Sequence, residues 1–413
     1  MTYSIDDIKR GLDHQEFVFH YQPKVDFLSG RISGAEALIR WRRRGEGRLI
    51  QPDEFMHMAE AHGLVPEITR RTLPRFAADF RAIVAADLAA AVSINLTAQD
   101  LDSPATLGTL REQVDSGGIE PEKLEIEITE GSRVSESDAA TEAIRALIAR
   151  GIRFSMDDYG TGFSSLETLN RLPFAAIKLE QGFVMEMLHS AKTATLVKTS
   201  IAAAQMLGIG TVVEGIESDS VYRYLLHAGC TEGQGYWISP PLPLEAYLNL
   251  LRRGDSWPSS PIGMLRMAQI THTWQYKLLV DMVCSSMKHQ APDLSGFHLM
   301  HPGHRECSLG RWYYGVGQEF AADANYRALE EPHRAMHATC ELITEALNEP
   351  RDQRRVRRLM QQLGESSIRV SNALERLESR LLIEEVCCKL ADGGAGDGQR
   401  LVTDPLPGRP RGA

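Results

Sequence analysis

The sequence predicts a β/α barrel followed by a separate all-helical domain. Three observations predict it. Short β-type runs alternate with helical periods over the first ~250 residues, the usual size of a (β/α)8 barrel. Turn chemistry then interrupts the pattern in Gly254-Asp255-Ser256-Trp257-Pro258-Ser259-Ser260-Pro261. Beyond it strand patterns largely vanish and helical spacing takes over.

Phe17–Phe27 and Arg31–Trp41 are strand-like and joined by Leu28-Ser29-Gly30, which predicts an antiparallel hairpin. Further strands are expected at Ala91–Leu96, Leu124–Thr129, Arg153–Asp157, Ala175–Leu179, Thr211–Val213 and Gly235–Ile238, with helices such as Glu136–Arg150 and Thr193–Leu207 between them. In the second half Met264–His289, Ala321–Asn348 and Arg351–Leu390 have helical spacing. The last carries an apolar stripe at Leu359, Leu363, Val370, Leu374, Leu377, Leu381 and Val386, suited to a bundle core or a coiled-coil dimer seam. The expected organisation is a barrel over 1–254, a linker over 255–263, a helical domain over 264–390 and a disordered Gly/Pro/Arg-rich tail over 391–413.

The net charge of −10 over 413 residues argues against a DNA or RNA polymer or an anionic membrane surface as partner. A small phosphate ligand stays open, because metal ions can supply positive charge. The N-terminus lacks an apolar signal core, and no apolar run reaches the ~20 residues of a membrane span. The Ala-rich stretch Ala82–Leu96 is broken by Asp87. Six scattered cysteines do not form a disulfide framework. A cytoplasmic protein without membrane insertion is expected.

The barrel segment places polar residues at successive strand ends: Glu36, Asn95, Glu127 with Glu130 just beyond, Asp157-Asp158, Lys178 and Glu214. In a barrel those ends converge on one rim, where sites are built. Each alone is an ordinary surface or turn residue; Glu130 aside, together they gather five carboxylates, an amide and a lysine in one concavity. Such negative charge needs counter-charge. Oxygen donors without His or Cys favour Mg2+ or Mn2+, and several carboxylates with one that can bridge suit two metals about 4 Å apart.

The segments Tyr21-Gln22-Pro23-Lys24, Glu36-Ala37-Leu38-Ile39-Arg40-Trp41, Asp157-Asp158-Tyr159-Gly160-Thr161-Gly162, Glu214-Gly215-Ile216-Glu217 and Gln234-Gly235-Tyr236 together resemble the EAL phosphodiesterases over roughly Ile5–Leu251. The resemblance implies a modified TIM-like barrel with one antiparallel strand, and hydrolysis of cyclic di-GMP to linear pGpG. It implies that Glu36, Asn95, Glu127 and Asp157 hold a first metal, and that Asp157 bridges to a second beside Asp158. Lys178 would hold the attacking water, and Glu214, helped by Gln234, would orient water or act as base. Gln22 and Arg40 would contact the dinucleotide, Arg40 through its two-pronged guanidinium. Glu130 would pin the loop Asp158–Ser165, next to which the family tends to form homodimers. One departure stands out: Lys178-Leu179-Glu180 replaces the usual Lys-Ile-Asp, lengthening the acid at 180 by one methylene.

The helical segment carries different donors. His333 and His337 lie one helical turn apart, and His272 and Cys307 complete three imidazoles and a thiolate, a zinc set. His272-Thr273-Trp274, Cys307-Ser308-Leu309-Gly310-Arg311-Trp312 and His333-x-x-x-His337 resemble, in order, the chemoreceptor zinc-binding (CZB) domain over about Met264–Leu390. That implies a four-helix bundle with one Zn2+. The long interval from Trp274 to Cys307 also holds His289, His298, His301 and His304; Trp274 two residues on favours His272. Zinc there either regulates the barrel or only stabilises the bundle; fusion to a signalling enzyme favours regulation. For the barrel, the intact acidic set favours an enzyme over a cyclic di-GMP receptor, with Glu180 the one feature favouring the receptor. A scaffold joined to a zinc buffer would bind no nucleotide.

Overall fold

The computed structural model describes residues 3–87, 90–129, 138–160, 168–169, 171–288, 303–348 and 353–392. The chain divides into two compact units, one up to Ser260 and one from Pro261.

Eight strands close the first unit: β1 (Phe17–Asp26), β2 (Arg31–Trp41), β3 (Ala91–Asn95), β4 (Leu124–Thr129), β5 (Arg153–Tyr159), β6 (Ala176–Leu179), β7 (Gly210–Val213) and β8 (Glu232–Gly233). Neighbours from β2 to β8 pair parallel, while β1 runs antiparallel to both β2 and β8. A short β9 (Leu242–Pro243) adds to β1 at His20 and Tyr21. The expected hairpin is therefore present, and β1 is the reversed strand.

The alternation of side chains fixes what lies outside. Tyr21 is fully buried beneath the helix Val65–Ala86, its hydroxyl donating to Asp79 at 2.8 Å. Trp41, also fully buried, packs with Phe17 and Phe55 and donates through Nε1 to Glu16 at 2.9 Å. Gly34 sits where β2 meets β3; a Cβ there would lie 2.1 Å from the Ala91 carbonyl oxygen.

The eighth strand is corrected: it is Glu232–Gly233, and 235–238 form a turn instead of a strand. Gly235 crosses so close to Ile216 that a Cβ would stand 2.2 Å from its backbone nitrogen, and Trp237 donates to the Ile216 carbonyl. The segment is used for that crossing and cannot pair as a strand. The turn-rich run after Gly254 packs on the barrel: Trp257 is buried, its N–H donates to Gly30 at 2.8 Å, and Tyr222 donates to the Pro258 carbonyl.

The second unit is helical, its described residues including the helices Ile262–Lys288, Ser308–Tyr314, Ala324–Asn348 and Gln353–Asp392 and a 3-10 turn over Val316–Phe320. The first therefore starts two residues before the expected Met264, inside the expected linker, and the last runs on to Asp392, beyond the expected Leu390. Leu359, Leu363, Val370, Leu374, Leu377 and Leu381 are all buried, so these six positions are bundle core within one chain, while the side chain of Val386 lies outside the described residues. Arg266 and Glu378 bridge the first and last helices at 2.5 Å. Residues 393–413, expected as tail, lie outside the described residues. Among the described residues no helix is long and apolar enough to cross a membrane.

Candidate active site and metal centre

Period-2 alternation points Glu36, Asn95, Glu127, Asp157 and Lys178 to the barrel interior near the carboxyl ends of their strands. Lys178, buried at β6, is the hub. Its Nζ lies 2.5 Å from Glu127 Oε2, 2.7 Å from Glu214 Oε1, 3.2 Å from Asp157 Oδ1 and 3.4 Å from Glu36 Oε2. Glu36 accepts from Asn95 Nδ2 at 2.7 Å and from Gln234 Nε2 at 2.7 Å, and Gln234 also donates to Glu214 at 3.0 Å. Seven of the residues singled out in the sequence thus form one connected network drawn from β2 to the segment after β8.

At β5 the register shifts between Met156 and Tyr159, so that Asp157 and Asp158 together oppose Lys178 of β6. This bulge sets two consecutive acids opposite one residue of the neighbouring strand, where a regular strand would pair each with its own. Asp158 takes the left-handed conformation at φ 57°, which Asp tolerates better than most residues, and its N–H donates to Asp157 Oδ1.

Four ionised carboxylates (Glu36, Glu127, Asp157, Glu214) would face two ammonium groups, Lys178 and Lys24, leaving two negative charges unbalanced. The titration behaviour reflects this. Burial pushes Glu36, Asp157 and Glu214 up, Glu214 to about 8. Burial opposes ionisation of Glu127 as well, yet Lys178 and Lys24 outweigh it and hold its carboxyl well below the usual range. Lys178 is itself held well above its ordinary value by the carboxylates around it, against the effect of burial. A buried all-oxygen donor set short of positive charge fits hard divalent cations.

Gln22 and Arg40 are buried on the same interior face: Gln22 pairs with Glu36 in register and donates to the Ser239 carbonyl at 3.4 Å, and Arg40 lies four residues beyond Glu36, donating to its own Ile39 carbonyl. Neither forms a direct hydrogen bond with the acidic cluster. Glu180 precedes the helix Gln181–Glu186, its carbonyl accepting from the Val184 N–H and its carboxylate lying over Gly182; among the described residues that carboxylate has no hydrogen bond and is not among the ion pairs of Lys178. Glu130 and 161–165 of the expected loop lie outside the described residues.

Sequence reasoning missed Lys24, which donates to Glu127 Oε1 at 2.8 Å. It also missed the polar layer beneath the site, Ser93, Glu125, Ser155 and Glu232. Each stands two residues before Asn95, Glu127, Asp157 or Gln234, and that spacing was the available signal.

In the helical unit the four singled-out donors are all buried, and three of them, His272, Cys307 and His333, form one group that His337 adjoins through His333. Ligand atoms of His272, Cys307 and His333 lie within 4.8 Å of one another. Cys307 Sγ and His337 Nε2 are each 3.2 Å from His333 Nε2. Ligands around tetrahedral zinc stand about 3.3–3.7 Å apart for bonds of ordinary length, so the set fits that ion. Cys307 caps the helix Ser308–Tyr314, its Sγ accepting from the Gly310 N–H at 3.2 Å. Burial pushes the Cys307 thiol up, and burial followed by the neighbouring imidazoles drives His333 down to about 2. His333 is therefore neutral and able to ligate.

The EAL domain family model matches residues 5–241, more than half of the chain. The chain belongs to the EAL domain family. The model of the chemoreceptor zinc-binding domain matches residues 279–343, a stretch that holds Cys307, His333 and His337 and begins after His272. Relatives of this EAL chain include the bifunctional diguanylate cyclase/cyclic di-GMP phosphodiesterase MucR of Pseudomonas aeruginosa, 32% identical over 60% of this chain and 36% of MucR. The cyclic di-GMP phosphodiesterase RocR of the same organism is 32% identical over 60% of this chain and 62% of RocR. Among solved structures, the MucR phosphodiesterase in complex with c-di-GMP matches with a TM-score of 0.56 at 32% identity, over 59% of this chain and 98% of that one. The EAL chain spans about a third of the length of the first curated relatives it matches, 36% and 32%.

Proposed function

We propose that this chain hydrolyses cyclic di-GMP to linear pGpG with two Mg2+ or Mn2+ ions in the barrel, and that Zn2+ in the helical unit regulates the rate. The supporting observation is the single network joining Glu36, Asn95, Glu127, Asp157, Lys178, Glu214 and Gln234 at one barrel rim. In this reading residues 1–254 are the catalytic barrel, 255–263 the connection and 264–390 the zinc-binding bundle, and the protein works in the cytoplasm as a homodimer.

Glu36, Asn95, Glu127 and Asp157 would hold one metal, with Asp157 shared with a second and Asp158 beside it. Cations held there would supply Lewis-acid polarisation of the phosphodiester and a lowered water pKa. The chain's own groups do the rest. Water adds to phosphorus as the bond to the 3′ oxygen breaks, leaving a 5′-phosphate on the linear product. Glu214 orients the attacking water or takes its proton as base, and the 3′ oxygen leaves with a proton from solvent. Gln234 fixes the orientation of Glu214, and Lys178 stabilises the charge that develops at the reacting oxygens. Gln22 and Arg40 hold the nucleotide. His272, Cys307, His333 and His337 would hold the zinc, whose occupancy depends on pH because thiolate and neutral imidazole are the binding forms.

The test is turnover of cyclic di-GMP with Mg2+ or Mn2+, with zinc chelated or supplied at defined free levels. Production of pGpG, lost in Glu36→Ala, supports the enzyme; a zinc-dependent rate, abolished by Cys307→Ala, supports the sensor. Tight nucleotide binding without turnover in any condition would replace the enzyme by a receptor.

A further inference from the structure

We propose that Lys24 is a positioning residue that sets the Glu127 carboxylate from beneath the site. This rests on reading Glu127 as a ligand of the barrel cations. Because β1 is reversed, its carboxyl end reaches the floor of the barrel, and Lys24 pairs there with Gly34, one pleat below the Gln22–Glu36 pair. From that floor Lys24 Nζ reaches 2.8 Å from Glu127 Oε1 while Lys178 Nζ holds Oε2 at 2.5 Å, so both oxygens of a fully buried carboxylate are fixed by separate ammonium groups. Glu125, of Lys24's own polar layer, lies farther away, its Oε1 at 3.8 Å. The lysine is directed at the site above it more than at its own layer.

Barrel interiors are ordinarily packed with Val, Ile and Leu. Here the floor holds a buried lysine among Glu125, Glu232, Ser33 and Ser93, around a cavity of about 30 Å³. Burying an ammonium is costly unless it is paired and hydrogen-bonded, and the partner at hydrogen-bond distance is Glu127. Groups that orient ligands from behind typically change metal affinity or activity about 10–100-fold when removed.

The sign of the effect separates positioning from simple neutralisation. Removing a cation from beside a cation site tightens metal binding if charge alone matters; losing the orientation of Glu127 weakens it. Mn2+ binding to the full-length protein, with its zinc supplied, is measured by titration calorimetry for the wild type, K24M and K24R, alongside turnover as a function of Mn2+. Positioning predicts an Mn2+ Kd raised about 10–100-fold in K24M. K24R should fall between it and the wild type, the KM for nucleotide should stay unchanged, and turnover should recover as Mn2+ saturates. If K24M fails to fold, K24M/E125Q, which removes the second carboxylate left without its ammonium, is read in the same way; if that also fails, K24R decides alone. Unchanged or tighter Mn2+ binding in the folded variants overturns the proposal. A wild type that binds no Mn2+ overturns the reading of the barrel site itself, a result distinct from the first.

Discussion

The two metal-fitting sites solve opposite electrostatic problems. The barrel gathers carboxylates from strands spread between Glu36 and Glu214 and compensates part of their charge with the chain's own cations, Lys178 and Lys24. The bundle gathers imidazoles and a thiol from three helical segments, with His333 neutral and in close contact with both the Cys307 thiol and the His337 imidazole. One site is built around ammonium groups that hold its geometry; in the other the close contacts run between the donors themselves. The barrel site should therefore be largely formed before metal arrives, whereas the bundle site should gain most of its cohesion from the ion.

The largest expected effect is on chemistry. Glu36→Ala removes the acceptor shared by Asn95, Gln234 and Lys178, and turnover should fall roughly 10³-fold, about 4 kcal/mol, with the barrel still folded by circular dichroism. Collapse of the barrel instead would break the comparison, since the site would then depend on Glu36 for its architecture. Next is Cys307→Ala. Zinc at 100 times its Kd should stabilise the wild-type bundle by about 2.7 kcal/mol and the variant by far less, read as the zinc-induced shift in urea unfolding. A shift of equal size in both would remove Cys307 from the site.

Metal-free protein should then show opposite pH slopes in its two units. Glu214 keeps in the fold, up to about 8, a proton that the unfolded chain releases near 4.5, so barrel stability is lost as pH rises through that window. His333 refuses in the fold, down to about 2, a proton that the unfolded chain takes up near 6.5, so bundle stability is lost as pH falls through that window. Each group contributes up to about 1.4 kcal/mol per pH unit. Hydrogen exchange resolved by segment measures both, and slopes of one sign would break the contrast. The smallest effect is expected of Glu180→Asp. The Glu180 carboxylate lies over Gly182, away from the Lys178 hub, so turnover should change by less than about threefold. A large gain would show that the extra methylene restrains the enzyme.

Strands β1 to β5 were legible because each has a strand-like run of five residues or more, β6 and β7 as short, largely buried runs between helical stretches, and the donors at their ends because residue type and strand position agree. β8 was not: at two residues it leaves no period to read, and the strand-like Gly235–Ile238 is committed to its crossing with Ile216. The polar floor escaped because Lys24, Glu125 and Ser155 resemble the exposed half of an ordinary strand until the barrel closes over them. The zinc donors were legible as a set, although His272 is separated from Cys307 by a long interval and only the fold brings them together.

The bulge at Asp157-Asp158 has a stereochemical consequence. The two neighbouring acids should answer to different alphabets in a saturation library. Position 157 is set by its carboxylate, which faces Lys178 and accepts the Asp158 N–H. Position 158 is set also by handedness, because its backbone sits at φ 57°. Glycine there would ease the backbone while deleting the acid, and asparagine would keep the shape without the charge. Isoleucine would lose on both counts, and a D-aspartate introduced by chemical synthesis would be the one replacement to keep the carboxylate while relaxing the chain.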